Sequence, residues 1–217
     1  MKQKTATADS VRWNQIRAAV FDVDGTLYDQ PRVRKSMAKK LLAFYLLHLG
    51  RIRELLGIFY FRKIREESAW QAAGMEEQAG EASRRAGLKD PPRLLAAIRK
   101  WMFDEPLPLI AAYRNEAVLS LLHRMQAAGQ KVIIYSDYAP EEKLSALGVS
   151  PDAVFYPGSG ISEELKPSET NMRQILKAVS LPADQIVFLG DRDEKDGASA
   201  RLVGMPFVLV TPGTRFP

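Results

Sequence analysis

The stretch Asp22-Val23-Asp24-Gly25-Thr26-Leu27 directly follows the apolar run Ala18-Ala19-Val20-Phe21, and this junction decides the fold. A short apolar run that ends in an Asp-Gly turn is typical of a buried strand. Two carboxylates at the end of one strand repel each other unless a cation or a shared proton lies between them. An isolated Asp-Gly turn would be explained most simply as a turn, and it is the second half of the chain that argues for more.

The second half of the chain alternates between short apolar runs and amphipathic segments. Apolar runs lie at residues 132–135, 153–156, 186–189 and 207–210, and a helix before the first of them is predicted by Val118, Leu121, Leu122 and Met125. Such alternation is typical of parallel sheets covered by helices on both faces. It predicts an α/β fold whose core is a Rossmann-like, doubly wound parallel sheet.

The segment between the first strand and the rest of this pattern is different. Ala, Leu, Glu, Lys and Arg dominate residues 31–108, and no alternating strand pattern occurs there. This composition predicts an inserted, all-helical cap subdomain in a core made of residues 13–30 and 109–217. Its expected helices are 32–49, 51–66, 66–74, 75–86 and 91–103.

Composition excludes some classes of protein. The 217 residues contain no cysteine, so disulfides, thiolate metal sites and cysteine nucleophiles are ruled out. No apolar segment approaches the length of a membrane span, and no signal sequence is recognisable, so a cytoplasmic location is expected. The formal net charge of +5 favours anionic partners without choosing among them.

Polar residues follow several of the predicted strands. Asp22 and Asp24, Ser136, Lys166 and Asp191 come after apolar runs, and the carboxyl ends of parallel strands meet at one rim of a sheet. Carboxylates without His or Cys suit Mg²⁺, while an ammonium and a hydroxyl suit phosphate oxygens. A carboxylate can also act as the nucleophile in phosphoryl transfer. The rim therefore predicts a magnesium-assisted site for a phosphorylated compound.

These motifs resemble those of the haloacid dehalogenase superfamily, in its phosphatase branch with a helical cap. Residues 22–27 are similar to its first motif and Ser136 to its second. Lys166-Pro167 is similar to the third motif, and the acidic stretch from Gly190 to Asp196 is similar to the fourth. The resemblance implies an Mg²⁺-dependent phosphatase that hydrolyses a small phosphorylated metabolite through an aspartyl-phosphate, with the helical segment closing over the site.

The resemblance also implies roles for the acidic residues. Asp22 would be the nucleophile and a metal ligand, and Asp24 would be the general acid/base and a ligand through its backbone carbonyl. Asp191 would bind the metal. Asp196 would hold a metal-bound water or orient Lys166, and Thr26 would orient Asp24. An acid at position 24 separates the chain from the dehalogenases proper.

The remaining roles concern the substrate. Ser136 and Lys166 would bind the transferring phosphoryl group, with Lys166 also offsetting the charge of the nucleophile. Thr26 and Asp137 are also expected to be substrate-binding residues. Asp137 stands where relatives often have Asn, so its carboxylate would either repel a phosphate or point away from it.

Two alternatives remain open. The first is a phosphotransferase or phosphomutase of the same family. The second is a protein with a non-catalytic core that docks on membrane or nucleic acid through the basic, aromatic stretches 41–47 and 51–65. Helix–helix packing explains the same residues and is the favoured interpretation, so no nucleic acid is expected and membrane-surface contact is the less favoured possibility. The substrate and the oligomeric state stay open.

Overall fold

The computed structural model describes residues 11–67, 70 and 73–217. These residues form two compact units. One holds the chain up to Pro31 together with Ile110–Pro217, and the other is Arg32–Leu109. The helix predicted at 66–74 includes residues 68, 69, 71 and 72, which lie outside the described residues.

The first unit is built on a five-stranded parallel sheet, which confirms the predicted α/β fold. Its strands are β1 (Ala18–Phe21), β2 (Lys131–Tyr135), β3 (Ala153–Phe155), β4 (Ile186–Gly190) and β5 (Phe207–Leu209). They lie in the order β3-β2-β1-β4-β5. Since the chain moves outward from β1 to β3 and then returns to the other side of β1, the order reverses between β1 and β4, where doubly wound sheets bind ligands.

Nine α-helices occur within the described residues. They are α1 (Gln30–Leu47), α2 (Ile52–Glu66), α3 (Met75–Arg85), α4 (Pro91–Ile98), α5 (Leu107–Ala112), α6 (Glu116–Ala127), α7 (Glu141–Leu147), α8 (Glu169–Val179) and α9 (Ala198–Leu202). Two π-helical turns, Arg99–Asp104 and Asp193–Gly197, follow α4 and precede α9. None of these helices is long and apolar enough to cross a membrane.

Burial explains why the central strands of the sheet are apolar along their whole length. Every residue of β1 and β4 is buried, as expected for strands covered on both faces. The apolar face predicted for α6 is buried, and Asn115 caps that helix by accepting from the Val118 amide. Ser168 caps α8 in the same way, by accepting from the Asn171 amide.

Strand register brings the ends of three strands level. Phe21 pairs with Ile134 on one side and with Leu189 on the other. The residues just beyond these pairs, Asp22 among them, therefore emerge at one edge of the sheet. The Asp22 amide continues the ladder by donating to the Leu189 carbonyl at 2.9 Å.

The helical unit encloses a charged residue as well as an apolar core. Glu54 in α2 is only 1% exposed and accepts hydrogen bonds from Arg51 and Arg93. Nearby, a Cβ at Gly57 would lie 2.6 Å from a Leu94 methyl group, so α2 and α4 pack closely because position 57 has no side chain. This charge cluster and this close packing hold the helices of the unit together.

Packing within the unit accounts for only part of the apolar residues in stretches 41–47 and 51–65. Tyr45, Ile58, Phe61 and Ile64 are buried, as the packing interpretation expected. Other large apolar side chains of α1, α2 and their connection are exposed, namely Leu42, Leu46, Leu47, Leu49, Ile52, Leu56 and Phe59. The two helices therefore carry one apolar face inward and another outward.

Replacing Glu54 by Gln should lower the free energy of unfolding and make it less dependent on pH in the acid range. Burial alone would raise the pKa of Glu54, but hydrogen bonds and charge from Arg51 and Arg93 lower it below its ordinary value of 4.5. The unfolded chain therefore binds the proton more readily, and this stabilisation is lost as pH falls through the folded-state pKa, below 4.5. Glu54→Gln should lose about 2 kcal/mol near pH 7.

The measurement is the free energy of unfolding in urea at a series of pH values from neutral to acid. Glu142→Gln, at an exposed position of α7, is the matched control. Native protein and control should lose more stability on acidification than Glu54→Gln. Identical pH dependence in all three would contradict the role given to Glu54.

Candidate active site

Three charged side chains are in direct contact in the site. Two of them lie in the loops after β1 and β4, and the third is that of Lys166. Lys166 Nζ lies 2.5 Å from Asp22 Oδ1 and 2.7 Å from Asp196 Oδ1. All three residues are buried. Charges taken out of water need close partners, and here one ammonium lies between two carboxylates. The sequence predicted this meeting of Asp22 and Lys166 at the rim of the sheet.

Burial makes the charges of this cluster interdependent. Burial raises the pKa of the Asp22 carboxyl, the Lys166 ammonium opposes that rise, and the Asp196 carboxylate adds to it. Although burial favours the neutral amine, Asp22 and Asp196 hold the pKa of Lys166 above its ordinary value. The cluster contains more acids than bases, so a further cation would favour the ionised form of Asp22.

A group of carboxylates beside Lys166 is suited to such a cation. One oxygen each of Asp22, Asp191 and Asp196 lies within 4.8 Å of the others. Asp191 Oδ1 is buried and has no hydrogen-bond partner among the described residues, although Arg192 Nε lies 3.8 Å from it. Burial, followed by the charge of Asp196, also raises the pKa of Asp191. An all-oxygen donor set with one unsatisfied buried oxygen fits a hard divalent cation such as Mg²⁺.

Two glycines let the acidic loops approach so closely. Gly25 has φ +97°, and a Cβ at this position would lie 2.1 Å from Asp191 Oδ2. A Cβ at Gly190 would lie 2.4 Å from the Cβ of Asp196. Any side chain at either position would therefore displace a carboxylate. Both glycines lie within the motifs described above, but the sequence pattern did not indicate this packing role.

Asp24 is held by residues that the sequence did not single out. Its Oδ1 accepts from the Tyr28 hydroxyl at 2.5 Å and from Lys143 Nζ at 2.6 Å. Burial would raise the pKa of Asp24, but the charge and hydrogen bond of Lys143, with the bond from Tyr28, lower it below its ordinary value. Asp24 is therefore a fixed carboxylate beside the Asp22 cluster.

Thr26 differs from its predicted role. Its Oγ1 donates to Asp22 Oδ2 at 3.1 Å, so it orients Asp22 and not Asp24. The turn explains the difference, because the chain curls back after Gly25 and puts position 26 over position 22. Thr26 is completely buried.

The two residues after β2 lie in different surroundings. Ser136 is buried at the strand end, and its Oγ accepts from the Tyr138 amide at 3.3 Å. Asp137 accepts from the Lys166 amide at 2.9 Å and from Lys195 Nζ at 3.1 Å. The carboxylate of Asp137 is thus bound to the chain itself, and it fixes the backbone that carries Lys166.

Comparison with known proteins identifies, for most of the chain, the family that the sequence motifs resemble. A family model described as haloacid dehalogenase-like hydrolase matches residues 16–204. Glyceraldehyde 3-phosphate phosphatase from Methanopyrus kandleri is 25% identical over 91% of this chain and 85% of its own length. Phosphoglycolate phosphatase from Rhodospirillum rubrum is 26% identical over 91% of this chain and 80% of its own length.

Similarity to solved structures supports the fold. The 2-haloacid dehalogenase from Pseudomonas syringae pv. Tomato superposes with a TM-score of 0.63 at 18% identity, covering 91% of this chain and 87% of the other. At this identity the likeness concerns the fold alone.

Adding a methyl group at position 25 should weaken cation binding. In Gly25→Ala the new Cβ displaces Asp191, and we expect magnesium affinity to fall by about tenfold or more. Gly160 is a matched control, since its φ is +94° and a Cβ there would lie within 4 Å of no atom of the described residues. Both alanine variants bear a strained left-handed residue worth about 1 kcal/mol.

The measurement is magnesium binding by titration calorimetry, with thermal unfolding recorded for each variant. Gly160→Ala should bind magnesium like the native protein despite its loss of stability. Native-like magnesium affinity in Gly25→Ala, or loss of affinity in both variants, would show that the approach of Asp191 to position 25 is not needed for the cation.

Proposed function

The chain belongs to the haloacid dehalogenase-like hydrolases and is a hydrolase of their phosphatase type, and we propose that it hydrolyses a small phosphorylated metabolite through a phosphorylated Asp22. The observation that carries this proposal is the buried contact of Lys166 with Asp22 and Asp196, beside an Asp191 oxygen that accepts no hydrogen bond from the described residues. It provides a carboxylate nucleophile with nearby positive charge, and an oxygen-rich place for a cation.

In the first step, Asp22 attacks phosphorus and the bond from phosphorus to the leaving oxygen breaks. Thr26 and Lys166 hold the two oxygens of the Asp22 carboxylate from different sides, at 3.1 and 2.5 Å. Holding the nucleophile in one orientation lowers the entropic part of the barrier. Asp24 gives the leaving oxygen the proton that it took from water in the second step of the preceding turnover.

In the second step, water attacks the phosphorus of phospho-Asp22. Asp24 takes the proton of that water, inorganic phosphate leaves, and the Asp22 carboxylate is restored. The lowered pKa of Asp24 means that its carboxylate is ionised and able to accept this proton, and Tyr28 and Lys143 fix its position. Both are positioning residues in this scheme.

Ser136 and Lys166 have a further role towards the substrate in this proposal. The Ser136 hydroxyl and the Lys166 ammonium donate to the non-bridging oxygens of the phosphoryl group. Mg²⁺, held by Asp22, Asp191 and the backbone carbonyl of Asp24, would neutralise charge on those oxygens. Asp196 keeps Lys166 in place, since its Oδ1 accepts from Lys166 and its Oδ2 accepts from the Arg192 amide at 3.1 Å.

The substrate class is proposed from the relatives and from the chemistry of the site. The two phosphatases named above act on small three-carbon and two-carbon phosphates, judging by their names. A similar small phosphomonoester is the proposed substrate here. The helical unit, Arg32–Leu109, is proposed as the cap that selects it.

Replacing Asp22 by Asn should abolish phosphate release, since an amide cannot form the phosphorylated intermediate. We expect the rate to fall by a factor of about 10³ or more. The measurement is phosphate release from a panel of small phosphomonoesters, with magnesium and with a chelator in its place. The control is Asp184→Asn, in the turn before β4 and outside the cluster.

The native chain and Asp184→Asn should release phosphate in magnesium and lose activity in the chelator. Full activity in Asp22→Asn would disprove the role of Asp22. Transfer of the phosphoryl group to an added sugar, without release of phosphate, would instead identify a phosphotransferase.

A further inference from the structure

The helical unit presents an unusual combination of charge and exposed apolar surface. Residues 30–66 contain ten Lys or Arg and two Glu, a formal charge of +8, whereas the whole chain carries +5. Seven of the nine large apolar side chains exposed in the described part of the chain lie between residues 42 and 59. One short segment therefore combines most of the exposed apolar surface with an excess of positive charge.

The exposed residues follow a helical pattern in α1. Lys35, Lys39, Leu42 and Leu46 are spaced by four, three and four residues, so they lie along one side of the helix, and all four are exposed. The lysines precede the leucines. The stripe therefore changes from basic to apolar towards the connection with α2.

The same pattern occurs in reverse in α2. Ile52, Leu56, Phe59 and Lys63 have the same spacing and are all exposed. Here the apolar residues come first and the lysine lies at the far end. In both helices the apolar part of the stripe is thus nearest to the connection.

Two leucines are exposed where α1 ends and the connection to α2 begins. Leu47 is 83% exposed and Leu49 is 67% exposed. Neither side chain is needed to fill the interior of the helical unit, where Tyr45, Phe61 and Ile64 are buried. Single exposed leucines are common, but a run of them rimmed by basic residues typically marks an interaction site.

We propose that this surface, made of the α1–α2 connection and the two stripes, docks on an anionic phospholipid bilayer. The leucines, Ile52 and Phe59 would enter the boundary between headgroups and acyl chains, as the apolar faces of interfacial helices do. Lys35, Lys39 and Lys63, farther from the connection, would then lie level with the lipid phosphates, which their long side chains can reach.

The charge distribution favours this partner over two others. A second copy of the chain, meeting the same face across a two-fold axis, would bring two segments of +8 together. Nucleic acid would use the positive charge, but it offers no apolar phase for Leu46, Leu47 and Leu49. An anionic bilayer satisfies both the charge and the apolar side chains.

The test is flotation of the full-length protein with vesicles of phosphatidylcholine, with or without phosphatidylglycerol, at about 0.15 M salt. The native chain should float with the anionic vesicles and stay unbound with the neutral ones. In the variant Leu46→Gln/Leu49→Gln/Phe59→Gln, vesicle binding should fall by about tenfold or more, because the apolar contribution is removed. Leu202→Gln, at an exposed leucine of the other unit, is the matched control and should bind like the native chain.

Phosphate release from a soluble substrate and thermal unfolding are measured in the same preparations. The three substitutions lie at exposed positions, so both properties should stay at the native level while vesicle binding is lost. Failure of the native chain to float with anionic vesicles would overturn the proposal, whatever its phosphatase activity. Equal binding by the triple variant would overturn it too, as would retention on single-stranded DNA or self-association through these leucines in place of vesicle binding.

Discussion

The contact of the Lys166 ammonium with the Asp22 and Asp196 carboxylates is the interaction on which the site depends. All three side chains are buried, and a buried carboxylate without a partner would be costly to ionise. The Lys166 ammonium opposes the rise in the pKa of Asp22 that burial and the Asp196 carboxylate cause, and it fixes the Asp22 carboxyl group in place. Asp137 supports this arrangement from outside by accepting from the Lys166 amide and from Lys195. The strand order around β1 brings these distant parts of the chain together.

Close packing of the backbone is the second constraint on the site. Gly25 and Gly190 lie so near Asp191 and Asp196 that a methyl group at either position would collide with a carboxylate. The acidic side chains are therefore held by steric fit as well as by charge. The buried Oδ1 of Asp191, which accepts no hydrogen bond from the described residues, is then understandable as a ligand atom, because a hard cation would satisfy it.

The sequence predicted the sheet because each strand is a short apolar run, and it predicted the meeting of Asp22 with Lys166 because parallel strands end at one edge. It did not predict the contact of Lys143 with Asp24, since that contact depends on where α7 lies beside the β1 loop. The hydrogen bond of Thr26 to Asp22 depends on the exact turn at Gly25. Periodicity identified the apolar residues of α1 and α2, but it cannot distinguish a face that is covered from one, such as Leu46 and Phe59, that is left exposed.

The most direct test of the account is whether phosphate becomes attached to Asp22 during turnover. An aryl phosphate is a suitable substrate, because its leaving group needs no proton and the first step should proceed in Asp24→Asn. That variant lacks the base for the second step, so the phosphorylated protein should accumulate after acid quenching. Mass spectrometry of the intact and digested protein should then find one phosphoryl group on Asp22. Phosphorylation at Ser136, or turnover of the aryl phosphate by the native enzyme with no phosphorylated protein in Asp24→Asn, would contradict the account.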